Sequence, residues 1–126
     1  KVRLYTSALE EGIHYVNLWD AETGALVSAD TYEWEITAGF EGWQEFTLPE
    51  PVALKAGKQY VVSVSAGPNG YGVRTTPSGV FPVTNDTLVT YETSGRWADM
   101  AVYPDAMPAG EAAECYFRDV VFVPSK

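Results

Sequence analysis

The sequence predicts an all-β fold: a single antiparallel β-sandwich, jelly-roll-like, of about nine short strands. Three observations carry this. Apolar residues alternate with polar ones at the period of a strand: Tyr32, Trp34 and Ile36 against Thr31, Glu33 and Glu35, and a β-branched run from Gln59 to Ala66 carrying Ser63 and Ser65 two apart. Nowhere does an apolar period of 3.6 persist long enough for a helix of three turns. Finally, Leu54, Gly57 and Tyr60 stand at a Leu-x-x-Gly-x-x-Tyr spacing. That spacing suits a tyrosine corner, where the chain crosses between sheets and the tyrosine hydroxyl bonds backbone a few residues upstream.

In chain order, Val2 to Tyr5 reads as a first strand and Thr6 to Gly12 as a polar link. Ile13 to Asp20 is apolar on both faces, the mark of a central strand or of one covered by a loop. Asp20 to Gly24 is a hairpin turn, with Asp at its start and Gly where positive φ is needed. Ala25 to Ile36 forms the return limb. Gly39 to Gly42 turns the chain into the strand Trp43 to Leu48, closed by Pro49. After the Tyr60 strand, Gly67-Pro68-Asn69-Gly70 is a turn and Tyr71 to Arg74 a short strand. Thr75 to Asp86, with Pro77, Gly79 and Pro82, reads as a long loop, and long ordered loops in compact domains tend to carry function. Thr87 to Thr93 is a further strand, which Ser94 to Asp99 leaves; Met100 to Glu114 is irregular, and Cys115 to Val123 closes the sheet.

With 126 residues, 46% apolar and 13% aromatic, residues 1–126 make one domain with a real core rather than a disordered chain. No apolar stretch approaches the roughly 20 residues that a membrane-spanning helix needs. No secretory signal is visible; Lys1 opens almost at once on strand-like sequence, so the chain reads as a module trimmed from a longer precursor. A net charge of −9 argues against a nucleic-acid partner, which needs clustered Lys and Arg. Residues 1–50 hold ten acidic and two basic side chains, so one part of the surface is strongly acidic. Cys115 is alone, which excludes an intrachain disulfide and a cysteine-based metal site.

Catalysis finds little support. His14 is the sole histidine, on a face with Val16 and Leu18, and reads as a hydrogen-bonded structural residue. No Gly-x-Ser-x-Gly elbow is present. Glu33 and Glu35 share a strand face about 7 Å apart, within the range of an inverting glycosidase. Their alternation with Tyr32, Trp34 and Ile36 makes them solvated carboxylates rather than a raised-pKa pair. Asp20, Glu22 and the Thr23 hydroxyl crowd one turn with Asp30 nearby, an oxygen set that a calcium ion could use, although turn chemistry already explains it. No other cofactor is implied.

Sugar binding needs aromatic platforms for pyranose faces and planar polar groups for the hydroxyls. Trp19, Trp34, Trp43 and Tyr60 sit in strand patterns that predict burial. The candidates are therefore the aromatics of turns and loops: Tyr71, Phe81, Trp97 and Tyr103, with Arg74, Arg96, Asn69 and Asp99 as polar rim. Arg96-Trp97 followed by Asp99 is the most suggestive cluster; the competing reading is that Trp97 only covers the sandwich end.

Three segments together resemble one family: Gly12-Ile13-His14-Tyr15-Val16-Asn17-Leu18-Trp19-Asp20 with Gly24-Ala25-Leu26; Gly42-Trp43-Gln44-Glu45-Phe46 through Pro51-Val52-Ala53-Leu54, Gly57, Tyr60-Val61-Val62 and Pro68-Asn69-Gly70-Tyr71; and Asp119-Val120-Val121-Phe122. They resemble a bacterial β-sandwich domain family of undetermined function. It is found in secreted or surface proteins beside immunoglobulin-like, cadherin-like and glycan-active modules. The resemblance implies an extracellular or cell-surface setting and an accessory, non-catalytic role. It carries over no site residues, and between Thr76 and Glu114 the chain departs from the family pattern. The expectation is a non-enzymatic accessory module of a larger protein that binds glycan or cell-surface polysaccharide through loop aromatics, with neighbouring modules as further partners. The alternative is a structural spacer or adhesin domain acting by protein contact, and a third reading is a glycan-active enzyme.

Overall fold

The computed structural model describes residues 1–70, 72, 73, 84, 87–90, 94–98, 105–112 and 114–124. Among them are eight strands and no helix: β1 (Val2–Thr6), β2 (Gly12–Asp20), β3 (Tyr32–Ile36), β4 (Gly42–Phe46), β5 (Tyr60–Val64), β6 (Gly95–Trp97), β7 (Gly110–Ala112) and β8 (Arg118–Val120). They form two antiparallel three-stranded sheets, ordered β4-β1-β8 and β3-β2-β5, and a two-stranded ribbon of β6 and β7.

Alternation sets the inner faces. In β1, Val2, Leu4 and Thr6 are buried while Arg3 and Tyr5 point outward. Val2 and Leu4 of one sheet join Val16, Trp34, Ile36 and Val64 of the other in a single core, with Tyr32, Phe46 and Val62 packed against it. The Phe46 ring bridges the sheets, 5.7 Å from Trp34 and 6.1 Å from Tyr32. Fully burying one such side chain as Leu4 contributes about 1.5–3 kcal/mol.

β2 is the central strand that its two apolar faces predict, pairing with β3 through Gly12 to Val16 and with β5 through Val16 to Asp20. Its other face buries Trp19, whose Nε1 donates to Ser63 Oγ at 2.9 Å. The turn after β2 closes as expected: Gly24 N donates to Asp20 O at 2.8 Å, with Gly24 at φ +72°. The return limb is shorter than the sequence suggests. Val27 and Ser28 both donate to Leu18 O, and regular pairing resumes only at Tyr32. The buried Asn17 holds the break, its Oδ1 accepting from Thr31 Oγ1 at 2.6 Å.

From β4 to β5 the chain passes from the first sheet to the second. There the Tyr60 hydroxyl accepts from Lys55 N at 3.0 Å, the corner bond that the spacing predicts.

Five expectations need correction. β6 and β7 lie in stretches read as an exit and an irregular segment; both are short and contain a glycine, which weakens the strand signal. The closing strand does not run from Cys115: Phe117 takes φ +51°, so β8 covers only Arg118–Val120. In the expected strand Thr87–Thr93, Val89 makes an isolated bridge to Thr84, and residues 91–93 lie outside the described residues. Trp43 is not buried but 40% exposed, because alternation in β4 puts it on the outer face with Glu45. The expected strand Tyr71 to Arg74 also falls partly outside; Gly72 and Val73 are not in a strand.

Candidate functional site

The site expected from sequence centres on Trp97, and the ribbon explains its pose. β6 pairs with β7 so that Trp97 lies directly opposite Gly110. A Cβ at position 110 would fall within 2.7 Å of the indole Cδ2 and nearer still to Cε2 and Nε1, so the ring lies flat over the glycine backbone. Only glycine permits this, and covering a strand glycine with a cross-strand aromatic also restores packing that the missing side chain forfeits. One face of the indole is thus supported by backbone while the residue stays 51% exposed. A rigid, supported and open aromatic ring can stack on an apolar ring face. Arg96 precedes it in β6, half-buried and opposite Glu111.

The other expected residues are distributed as follows. Asn69 is exposed in the turn after β5, with Nδ2 donating to Leu9 O at 2.7 Å, which ties that turn to the β1–β2 link. Tyr71, Arg74, Phe81, Asp99 and Tyr103 lie outside the described residues.

The calcium candidates act within turns. Asp20 Oδ1 accepts from the N–H groups of Glu22 at 2.9 Å and Thr23 at 3.0 Å. The Thr23 amide, foremost, holds the Asp20 carboxyl below its ordinary range. Glu22 pairs with Lys58, whose ammonium is raised above its ordinary range chiefly by that hydrogen bond. Asp30 Oδ1 accepts from Thr31 N at 2.9 Å. Among the described residues, no three His, Cys, Asp or Glu side chains come together as a metal-holding group. Glu33 and Glu35 are both exposed on the outer side of β3.

A buried ionisable cluster was not anticipated beyond His14. Glu10 and His14 are both 0% exposed, with Glu10 Oε1 3.1 Å from His14 Nε2. His14 Nδ1 lies 3.0 Å from Gly12 O; a carbonyl can only accept, so Nδ1 carries a proton. Gly67 closes over the His14 ring: a Cβ there would overlap Glu11 O and stand 2.8 Å from His14 Cε1. Arg118 donates to Tyr116 O and, at 3.3 Å, to Val64 O. Burial pulls its guanidinium below its ordinary range, opposed first by the charge of Glu10. The one available signal for Glu10 was its place just before a strand containing the sole histidine. The cluster is sealed from solvent at Glu10 and His14, so it acts on stability rather than on a ligand.

No curated protein and no solved structure matches the chain. A family model described as a domain of unknown function, DUF4082, matches residues 1–116. The matched span includes the 76–114 stretch expected to depart from the family pattern, and it ends before the closing segment 119–122. The chain belongs to the DUF4082 family of domains of unknown function.

Proposed function

We propose that the chain is a non-catalytic accessory module of a larger secreted or surface bacterial protein, a jelly-roll-like sandwich that binds glycan. The observation that carries the reading is the Trp97 indole, laid over Gly110 and 51% exposed. Such a ring offers a flat apolar surface to one side of a pyranose, and its rigidity reduces the entropy lost on binding. Arg96, which precedes it in β6, with Tyr103, Tyr71, Arg74, Asp99 and Asn69, is proposed as the rest of the site. In this reading the Asp20, Glu22 and Asp30 oxygens stay with their turn and Lys58 contacts, and calcium is the lesser alternative; a melting midpoint lowered by a chelator would favour it.

The spacer or adhesin reading draws support from Val121 and Val123, 40% and 79% exposed. Exposed apolar side chains of this kind suit contact with a neighbouring module. A glycan array on wild type beside Trp97→Ala separates the two. Binding by wild type that is lost in the variant supports the glycan reading, and a folded wild type that binds nothing supports the spacer. Polysaccharide turnover that disappears in Glu35→Gln would overturn the non-catalytic part.

A further inference from the structure

We propose that the outer face of the β4-β1-β8 sheet is a second saccharide site, distinct from the Trp97 ribbon, that takes a neutral sugar ring. The register assembles it. Tyr5 stands opposite Trp43, and Arg3 stands opposite Glu45 on one side and Asp119 on the other. The Tyr5 and Trp43 rings meet edge to face at 5.7 Å. Phe117 completes the group, 5.9 Å from Tyr5 and 6.4 Å from Trp43. It does so in the left-handed region at φ +51°, which bulky side chains rarely adopt. Strained backbone of this kind concentrates at functional sites because the surrounding structure must hold it. Three aromatic rings therefore stand on the outer face of a sheet, where alternation usually leaves polar side chains.

The polar groups around the rings point to the class of ligand. The Arg3 guanidinium lies 4.9 Å over the Trp43 ring. Its ion pairs to Asp119 and Glu45 measure 3.5 and 3.6 Å, both longer than a hydrogen bond, and its Nε is buried without a hydrogen-bond partner. A planar guanidinium is thus fixed beside an indole by the ring and two carboxylates, with 33% of its side chain open to solvent. Lys1 binds Glu45 at 2.7 Å, so two cations and two carboxylates share the face and their charges balance. A balanced face gives no net attraction to a phosphate, an acidic peptide or a polyanion. It does offer donors and acceptors to hydroxyls, around rings that accept a C–H face.

Size also favours a small ring over a protein. A stable protein partner buries about 800 Å² on each side. A whole aromatic side chain buries about 150–250 Å², and here Trp43 is 40% exposed while Tyr5 and Phe117 are half-buried. The open apolar surface matches one or two sugar rings.

The ligand class is shared with the Trp97 reading, but the residues are different, and the two fail separately. The four tryptophans give four indole N–H signals, with the buried Trp19 and Trp34 as internal references. The test titrates 15N-labelled protein with cellohexaose, xylohexaose, mannohexaose and laminarihexaose, and with pentagalacturonate as the acidic counterpart. The expected result is a saturable shift of the Trp43 signal with at least one neutral hexaose. Calorimetric affinity for that hexaose should fall about tenfold or more in a Trp43→Ala variant, and also in Arg3→Gln, which keeps the side-chain stem. A shift of Trp97 alone overturns the second site and leaves the first standing; a shift of Trp43 alone does the reverse. Equal response to pentagalacturonate overturns the neutral-ligand claim. A Trp43 signal that follows protein concentration, with dimers in sedimentation, assigns the face to a second copy of the chain and overturns the proposal.

Discussion

Replacing Glu10 by alanine tests the buried cluster that anchors the β1–β2 link. In the wild type, Glu10 Oε1 faces His14 Nε2 at 3.1 Å, both residues are 0% exposed, and Ser7 N donates to Glu10 Oε2 at 3.4 Å. The substitution strands two groups at once. His14 Nε2 loses its partner in a site closed by Gly67, and the guanidinium of Arg118 loses the charge that most offsets its burial. Breaking a buried pair by removing one member costs about 3–5 kcal/mol. A domain of this kind holds about 5–15 kcal/mol in all. At about 3–6 °C per kcal/mol for this chain length, the melting midpoint should drop by roughly 10–30 °C. Urea unfolding followed by tryptophan fluorescence measures the loss, and a cycle with His14→Ala should return a coupling of about 0.5–3 kcal/mol. A loss below about 1 kcal/mol, the level of an ordinary exposed hydrogen bond, would refute the reasoning.

Three further outcomes follow from the same geometry. Tyr60→Phe removes the acceptor of Lys55 N and should cost about 1 kcal/mol in urea unfolding; no change would mean that the corner bond holds nothing. Gly67→Ala puts a methyl against Glu11 O and the His14 ring and should cost about 1–3 kcal/mol, read as a lower denaturation midpoint. The Asp20 carboxyl is held below its ordinary value of 3.8, so its contribution is fully present above that value and is lost as pH falls through the lower folded-state value. The acid limb of the stability profile should therefore be shallower in Asp20→Asn than in wild type.

Much of the framework was legible because it rests on local rules. The alternation of Tyr32, Trp34 and Ile36, the two apolar faces of β2 and the spacing that ends at Tyr60 each follow from backbone geometry, which neighbouring residues report. What escaped depends on contacts distant in sequence. β6 and β7 are three residues each and acquire a strand's packing only when Trp97 covers Gly110. Glu10 looks like one more charge in a polar link until the fold buries it against His14, which Gly67 covers. The positive φ of Phe117 carries no local signature, since glycine or asparagine usually marks such a position. Trp43 is a different case. Its alternation with Gln44 and Phe46 already placed it on the face of Glu45, and its size and apolarity outweighed that pattern in the expectation of burial.

The most direct test of the glycan-binding proposal is calorimetric titration of wild type and Trp97→Ala with the best ligand from the array. The expected result is saturable binding by wild type that weakens about tenfold or more in the variant, with both proteins giving the same folded far-ultraviolet spectrum. Equal affinities, or no binding by a folded wild type, would contradict it.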